Sequence, residues 1–218
     1  MISSHRVIAI DGPAASGKSS VARGLARRLG FAYVNSGAMY RAVTWYVLQH
    51  GIAPNDAAAV VKLIETASIV CDLAGNESRI VIDDVDPSAF LRQASVNEAV
   101  SLVSSVARVR EILVEQMRRY VCKHDVVMEG RDIGSIVFPD TPYKFYIDAS
   151  PNVRWQRRAA EGQRDQIAAR DLVDSSRSAS PLVIAQDAYV IDSSNLTIEG
   201  VIGKITDQLK LKGMRTVD

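Results

Sequence analysis

The sequence is poor in cysteine and has no long apolar run. Two cysteines occur among 218 residues, Cys71 and Cys122, in different segments and without the spacing of a metal site. Two such thiols do not make a disulfide framework, so we expect them to be buried and reduced, as in the cytosol. No apolar stretch reaches the ~18 residues that a membrane span needs, and the first residues do not form a signal peptide. The sequence therefore predicts a cytoplasmic protein without a membrane partner.

The sequence also carries almost no net charge. Its 26 basic and 25 acidic residues leave a formal charge of +1, which does not indicate a general surface for nucleic acid polymers or membranes. Histidine is scarce as well, and the three histidines have no partners at catalytic spacing. Arginine is abundant by contrast, because it supplies 19 of the 26 basic residues. That bias suits bidentate recognition of phosphate groups better than simple solubility.

Residues 6–20 read R-V-I-A-I-D-G-P-A-A-S-G-K-S-S and contain a phosphate-binding pattern. The first half is a short apolar run, which predicts a strand buried on both faces. The loop that follows spells G-x-x-x-x-G-K-S from Gly12 to Ser19, and an amphipathic helix begins where the loop ends. Glycines allow backbone N–H groups to surround a phosphate, while Lys18 supplies a cation and the Ser19 hydroxyl is a ligand for Mg²⁺. The stretch therefore predicts a site for a nucleoside triphosphate with Mg²⁺.

Four more short apolar runs predict strands, at residues 31–34, 125–129, 143–147 and 188–192. Helical periodicity separates them, and this alternation predicts an α/β fold with a parallel five-stranded sheet flanked by helices. Two β-rich runs around Gly75 and Asn76 interrupt the alternation and predict a hairpin. A helical segment is expected from about Leu91 to Tyr120. We interpret the hairpin and this segment together as an insertion in a regular βα pattern.

Three other stretches bear on the chemistry. N-S-G-A-M-Y-R, from Asn35 to Arg41, is a capped helix start followed by an arginine and can bind a second phosphate group. Glu129-Gly-Arg-Asp132 ends a predicted buried strand, and ligands of open α/β sheets bind at the carboxyl ends of strands. The run R-D-x-x-D-x-x-R at residues 170–177 has mixed charge and suits a closing flap. These stretches favour a kinase among the proteins that contain a phosphate loop.

Other classes of phosphate-loop protein remain as alternatives. One is a nucleotide-dependent switch without a transfer substrate, but a GTPase switch requires N-K-x-D, which is absent from the sequence. The switch interpretation also leaves Arg41, Arg110 and Arg131 without a ligand. Within the enzymes, the alternatives are other small-molecule P-loop kinases, which act on UMP, dTMP or shikimate.

The chain resembles the bacterial cytidylate kinase family over nearly its whole length, from Val7 to about Leu209. The matching stretches are I-D-G-P-A-A-S-G-K-S-S, N-S-G-A-M-Y-R, L-R-Q-A-S-V-N-E-A-V-S, R-V-R, E-G-R-D-I-G-S-I-V-F-P-D, R-D-x-x-D-x-x-R, S-P-L and V-I-D-S-S. The resemblance implies transfer of the γ-phosphoryl group of ATP to CMP or dCMP, with Mg²⁺ as cofactor. It also implies one P-loop kinase domain over residues 1–218, with a monophosphate-binding insertion at about 60–105 and a short lid at about 155–180. We further expect a monomer.

The resemblance also implies roles for individual residues. ATP would be bound by Arg157 and by the loop residues Gly12, Pro13, Ala14, Ala15, Ser16, Gly17, Lys18, Ser19 and Ser20. The monophosphate would be clamped by Arg41 and Arg131 beside Ser36. Cytosine would be recognised by Ser101, Arg110 and Asp132, and the sugar by Arg170 and Asp174, with Arg177 nearby. The residues expected to take part in the transfer itself are Lys18, Arg131, Asp132, Arg170 and Arg177.

Several of these residues have a second interpretation. Arg110 could instead form an ion pair with Glu111 or Glu115 on its own helix. Asp11, directly before the loop, is a candidate either for ordering the turn or for holding a Mg²⁺-bound water. Glu129 is a candidate outer-sphere ligand of Mg²⁺.

Two further positions bear on the resemblance. Asp174 could be a surface charge or a helix cap instead of a contact to the sugar. Asn35 stands where members of the family usually carry Asp, so one carboxylate at the start of a helix is missing here.

Overall fold

A mostly parallel sheet forms the centre of the computed structural model, which describes residues 5–160 and 182–214. Its strands are β1 Val7–Asp11, β2 Ala32–Asn35, β3 Ile69–Ala74, β4 Glu77–Ile82, β5 Val126–Gly130, β6 Tyr143–Asp148 and β7 Tyr189–Asp192. Over the described residues they lie in the order β3-β4-β2-β5-β1-β6-β7. The five strands from β2 to β7 in this order are parallel, as predicted. The predicted hairpin, β3 with β4, extends the sheet beyond the expected five strands through a pairing of Tyr33 with Glu77.

Helices cover both faces of this sheet. Their bounds are α1 Lys18–Leu29, α2 Ser36–Gln49, α3 Ala57–Thr66, α4 Ala94–Val103, α5 Ala107–Val121, α6 Pro151–Ala160 and α7 Ile198–Leu211. A π-helical turn, Ile133–Val137, follows β5 closely. Because side chains alternate between the two faces of a strand, Val7 and Ala9 of β1 join a core cluster with α2–α5. Ile8 and Ile10 join a second cluster, with α1 and α7.

The predicted helical segment from Leu91 to Tyr120 is broken into two helices, so that prediction was wrong in its middle. α4 ends at Val103 and α5 begins at Ala107. At the break, Ser104 Oγ donates to the Ser101 carbonyl at 3.3 Å and Ser105 Oγ donates to the Leu102 carbonyl at 2.6 Å. Serine hydroxyls that bond to nearby carbonyls compete with helix continuation, and the apolar periodicity on either side does not reveal this.

The two cysteines differ in their exposure. Cys71 lies partly buried on β3, and burial raises the pKa of its thiol to about 12. Cys122 is exposed just after α5, so the expectation of two buried thiols was wrong for this residue. Separately, no helix within residues 5–160 and 182–214 combines the length and the apolar character of a bilayer span.

The carboxyl ends of the parallel strands bring three predicted stretches together. Strand register places Asp11 opposite Gly130, and Asn35 opposite Glu129. The phosphate loop follows β1, α2 follows β2, and the Glu129–Asp132 stretch ends β5. All three therefore meet at the edge of the sheet where ligands of such folds bind.

Candidate active site

The phosphate loop joins β1 to α1 in a conformation that glycine makes possible. A Cβ atom at Gly12 would lie 2.1 Å from the Ile147 carbonyl oxygen, so no larger residue fits there. Gly17 precedes α1 with φ 87°, a left-handed conformation that other residues rarely adopt. The loop thus ends at a helix N-terminus, where unpaired N–H groups and the helix dipole favour an anion.

Lys18 and Ser19, the first residues of α1, both have partners within the fold. Lys18 is only 6% exposed, and its Nζ donates to the Pro13 carbonyl at 2.9 Å. The Ser19 hydroxyl donates to Glu129 Oε1 at 2.7 Å, and Glu129 is buried at the end of β5. A hydroxyl that donates its proton to a carboxylate keeps its oxygen lone pairs for another ligand. An oxygen ligand is therefore available beside the loop.

Hydrogen bonds continue from Glu129 to the start of α2. The Tyr33 hydroxyl lies 3.5 Å from Glu129 Oε1, and burial, followed by this neighbouring carboxylate, raises the pKa of Tyr33 far above its usual value. Asn35 Nδ2 donates to the Tyr33 hydroxyl at 3.1 Å, while Asn35 Oδ1 accepts from the Ala38 N–H at 2.9 Å. Asn35 is therefore the N-cap of α2. Ser36 Oγ instead donates to the Glu129 carbonyl at 2.7 Å.

A buried ion pair, Arg110 with Asp132, lies on the other side of the site. The two side chains are each 6% exposed and hydrogen-bond to one another. The Arg110 guanidinium also lies over the Tyr40 ring, 5.4 Å from its centroid, and 3.4 Å from the Ser104 carbonyl oxygen. The break between α4 and α5 thus supplies this carbonyl.

The glutamates on α5 pair with other arginines. Glu111 pairs with Arg108, and Glu115 pairs with Arg119. The alternative interpretation of Arg110, an ion pair on its own helix, is therefore wrong. Its sequence separation from Asp132 is 22 residues, so helical spacing could not have identified the partner.

Asp11 orders a turn of the backbone. Its two carboxylate oxygens accept from the Ile133 and Gly134 N–H groups, each at 2.8 Å. Burial raises the pKa of Asp11 to about 7, and the neighbouring charge of Asp132 raises it further, against the lowering effect of these two hydrogen bonds. Of the two roles considered for Asp11, the structure supports the first.

Many of these groups, though not Asp11, line one cavity of about 470 Å³. The predicted site residues in its lining are Ala14, Ala15, Gly17, Lys18, Ser19, Ser20, Ser36, Arg41, Ser101, Arg110, Glu129, Arg131 and Asp132. They come from the phosphate loop, α1, α2, α4, α5 and the end of β5. Residues that are far apart in the sequence are thus brought to one space.

Other predicted residues lie elsewhere. Gly12, Pro13 and Ser16 belong to the loop but not to the lining. Arg157 is directed to the backbone, because Nη1 donates to the Ser16 carbonyl at 3.2 Å and Nη2 donates to the Ser193 carbonyl at 2.7 Å. Its neighbour Arg158 lines the cavity. Arg170, Asp174 and Arg177 lie outside the described residues, as does the predicted lid beyond residue 160.

Several lining residues were not predicted from the sequence. Those with polar side chains include Arg23, Tyr33, Asn35, Tyr40, Arg92 and Asn97. Tyr40 directly precedes Arg41 within a stretch already singled out, so its position was a usable signal. Arg92 is exposed, and it lies in the stretch L-R-Q-A-S-V-N-E-A-V-S that matches the family, which was a usable signal. Tyr33 was read as a strand residue, which it is, although its hydroxyl reaches the site.

The cavity lining combines two kinds of chemistry. The phosphate loop, Lys18 and Ser19 suit a chain of phosphates. Arg41 and Arg131 line the same cavity as the paired charges of Arg110 and Asp132, which can act as hydrogen-bond donor and acceptor. The arrangement can hold two phosphorylated molecules facing one another.

Comparison with known proteins identifies relatives over almost the whole chain. The sequence model of a family described as cytidylate kinase matches residues 8–211. Cytidylate kinase of Desulforamulus reducens is 41% identical over 212 residues, covering 92% of this chain and 95% of that protein. Cytidylate kinase of Mycobacterium leprae is 42% identical over 216 residues, covering 94% and 95%. Cytidylate kinase of Rhodococcus opacus is 44% identical over 219 residues, again covering 94% and 95%.

Proposed function

This chain belongs to the cytidylate kinase family, and on that premise we propose how its residues carry out the family's reaction. The protein is an ATP-dependent nucleoside monophosphate kinase, which transfers the γ-phosphoryl group of ATP to CMP or dCMP and so forms CDP or dCDP. What remains to be assigned is the part that each residue plays.

The acceptor needs no general base. A nucleoside monophosphate is already largely a dianion at pH 7, because its second pKa is about 6, as for other phosphomonoesters. The enzyme must instead bring two anions together, hold them in line and stabilise the charge that develops during transfer. We therefore assign the arginines and Lys18 to positioning and charge stabilisation, and no residue to proton abstraction.

The phosphate loop and Lys18 form the ATP site in this proposal. The loop N–H groups would surround the β-phosphate, and the Lys18 ammonium, now hydrogen-bonded to Pro13, would turn to the outer phosphates. The residues present fit Mg²⁺. The Ser19 hydroxyl donates a hydrogen bond to Glu129, so its oxygen lone pairs remain for a hard cation. When bound, Mg²⁺ would neutralise charge on the transferred phosphoryl group. Glu129 then acts through Ser19, as an outer-sphere group.

The monophosphate site lies at the start of α2. Arg41 and Arg131 both line the cavity there, and two guanidinium groups can clamp one phosphate with paired hydrogen bonds. Ser36 opens α2 with its hydroxyl held by the Glu129 carbonyl, which fixes the helix start beside the clamp. The helix N-terminus adds favourable dipole charge for the same anion.

The proposed recognition of the base depends on the buried ion pair of Arg110 and Asp132. Cytosine presents an exocyclic amino group as donor where uracil presents a carbonyl acceptor, so a carboxylate favours cytosine and repels uracil. Asp132 is the carboxylate in the cavity lining that forms an ion pair with a buried guanidinium, and Ser101 belongs to the same lining. A site of buried polar groups leaves them unpaired when the wrong base enters, which makes discrimination large.

The finer organisation of the chain belongs to the same proposal. We assign residues at about 60–105 to a monophosphate-binding insertion, because Ser88, Leu91, Arg92 and Ser101 line the cavity. A lid at about 155–180 would exclude water, with Arg170, Asp174 and Arg177 near the sugar and the transferred group. We expect a cytoplasmic monomer, since its substrates are cytoplasmic nucleotides and both kinds of chemistry in the cavity lining come from one chain.

The test is a coupled ADP-release assay with ATP and one acceptor at a time. We expect turnover with CMP and dCMP, and kcat/KM for CMP at least about a hundredfold above UMP, AMP and dTMP. Preference for UMP, AMP or dTMP would overturn the assignment of the base site. ADP release that is independent of any acceptor would contradict the kinase proposal altogether.

A further inference from the structure

Asp11 is a buried carboxylate that the proposed transfer does not use. It ends β1 directly before the phosphate loop, is 6% exposed, and lies opposite Gly130 in the strand register. Within the described parts of the chain, its hydrogen-bond partners are backbone groups of the π-helical turn, the N–H groups of Ile133 and Gly134, both at 2.8 Å. A carboxylate without a place in the chemistry is thus engaged with the residues that follow Arg131 and Asp132.

Helix starts leave N–H groups without partners, and an aspartate at the N-cap normally accepts from them. Asp132 occupies the N-cap position of this turn but makes no side-chain cap bond to it. Its carboxylate is paired with Arg110 instead. Asp11, 122 residues before Ile133, accepts from the turn in place of Asp132. A residue of the neighbouring strand β1 therefore caps the turn, and the Asp132 side chain lines the cavity.

We propose that Asp11 is a positioning residue of the monophosphate site, which holds the Arg131–Asp132 backbone by capping the following turn. The inference rests on the proposed function, because it concerns the site assigned to CMP. Two hydrogen bonds to one planar carboxylate define the position and the direction of the turn. The position of the π-helical turn then determines where the side chains of Arg131 and Asp132 enter the cavity. Asp11 thereby connects the end of β1, which leads into the phosphate loop, to Arg131 and Asp132, which are assigned to the acceptor.

Asp11→Asn tests this with little change in volume. The amide oxygen can accept from one N–H, but the amide NH₂ then faces the other N–H donor, so one of the two bonds is lost. We expect KM for CMP to rise about tenfold, and the kcat/KM ratio of CMP to UMP to fall about fivefold or more, as expected for loss of one hydrogen bond to a charged acceptor. KM for ATP should stay within about threefold of the wild type.

Asp125→Asn is the matched control. Asp125 directly precedes β5, at the amino end of the same strand pair, and accepts from the Arg6 N–H at 2.6 Å and from the Arg6 guanidinium at 2.6 Å. The same substitution there also removes part of a carboxylate–backbone contact between the β1 and β5 segments, but far from the turn. We expect Asp125→Asn to leave KM for CMP and the ratio of CMP to UMP unchanged.

A measurement on the wild type covers the case in which Asp11→Asn does not fold. Amide hydrogen exchange of the unliganded protein should show Ile133 and Gly134 protected, because both N–H groups are bonded inside the fold. Rapid exchange at both would overturn the proposal. It would equally be overturned if Asp11→Asn raised KM for ATP and left the ratio of CMP to UMP unchanged, since Asp11 would then serve the phosphate loop alone. Failure of the wild type to phosphorylate CMP would instead refute the proposed function, and the exchange result would still report on the Asp11 contact.

Discussion

Buried ionisable side chains in the site have partners of opposite charge or several hydrogen bonds. Arg110 has Asp132 and the Ser104 carbonyl, and Asp11 has two backbone N–H groups. Burial of a charge without such partners is strongly unfavourable, so each side chain is held in one orientation. These side chains are therefore positioned before a ligand arrives, which lowers the entropic cost of binding.

The stability of the protein should depend on pH through Asp11. Its pKa is about 7 in the fold and near 3.8 in the unfolded chain, so ionisation is disfavoured by folding. The contribution of Asp11 to the free energy of unfolding is fully present below pH 4 and is lost as the pH rises towards 7. We expect the wild type to lose about 2 kcal/mol relative to Asp11→Asn between pH 5 and pH 7, as measured by urea unfolding.

Asp125→Asn gives the control for that experiment. Burial alone would raise the pKa of Asp125, but hydrogen bonds from Arg6 outweigh it and hold the pKa below its usual value. Asp125 is therefore ionised in both states above pH 5, and its variant should run parallel to the wild type between pH 5 and pH 7. Parallel curves for Asp11→Asn as well would mean that Asp11 ionises normally in the fold.

Among the secondary-structure elements, α2 connects local capping with the site. Its N-cap, Asn35, accepts from the Ala38 N–H and donates to Tyr33, whose hydroxyl is near Glu129. α3 has a simpler cap, because Asp56 accepts from the Ala59 N–H at 3.0 Å on an exposed helix start. The two caps thus provide similar stabilisation, but only one belongs to the cavity lining.

Variants that lack one cap or the other should distinguish an effect on the free energy of unfolding from an effect on KM. Asn35→Ala and Asp56→Ala should each lower the free energy of unfolding by about 1 kcal/mol, the usual cost of a lost N-cap. Asn35→Ala should in addition raise KM for CMP, since the start of α2 and its Tyr33 contact would shift. Urea unfolding and steady-state kinetics on both variants make the comparison. Equal kinetic effects, or none in either variant, would contradict a role of the α2 cap in the site.

Local patterns in the sequence predicted most of the elements, and long-range contacts explain what was not predicted. The five parallel strands follow from apolar runs, and the loop from Gly12 to Ser19 follows from a motif with a known physical requirement. The break at Ser104 depends on side-chain bonds to nearby carbonyls that compete with helix hydrogen bonds, and the hairpin joins the sheet through Tyr33 and Glu77. Neither leaves a periodic signal.

The same distinction applies to the site. Residues within motifs, such as Lys18, Arg41 and Asp132, lie in the cavity lining as the sequence predicted. The cap that Asp11 provides spans 122 residues, so no spacing rule could reveal it. Arg157 contacts the Ser16 and Ser193 carbonyls, two partners that no pattern on a polar helix indicates, and its contact with ATP stays a prediction.

For the molecule as a whole, the sheet brings three chain segments to one edge, and the cavity between them combines a phosphate loop with a buried ion pair. The phosphate loop follows β1, the residues proposed to clamp the monophosphate follow β2 and β5, and Arg110 enters from α5. In the proposed function, base selection depends on contacts between segments and not on one motif. Asp132, held by Arg110, is the residue that we propose distinguishes cytosine from uracil.

The most direct test measures kcat/KM for CMP and UMP in the wild type and in Asp132→Asn, with Asp72→Asn as control. Asp72 pairs with Arg79 on the exposed hairpin, so its substitution should leave the ratio of CMP to UMP unchanged. The wild-type ratio should be about a hundred or more, and Asp132→Asn should reduce it about tenfold, because an amide can donate to uracil as well as accept from cytosine. Equal loss of activity with CMP and UMP in Asp132→Asn would contradict the base-reading role.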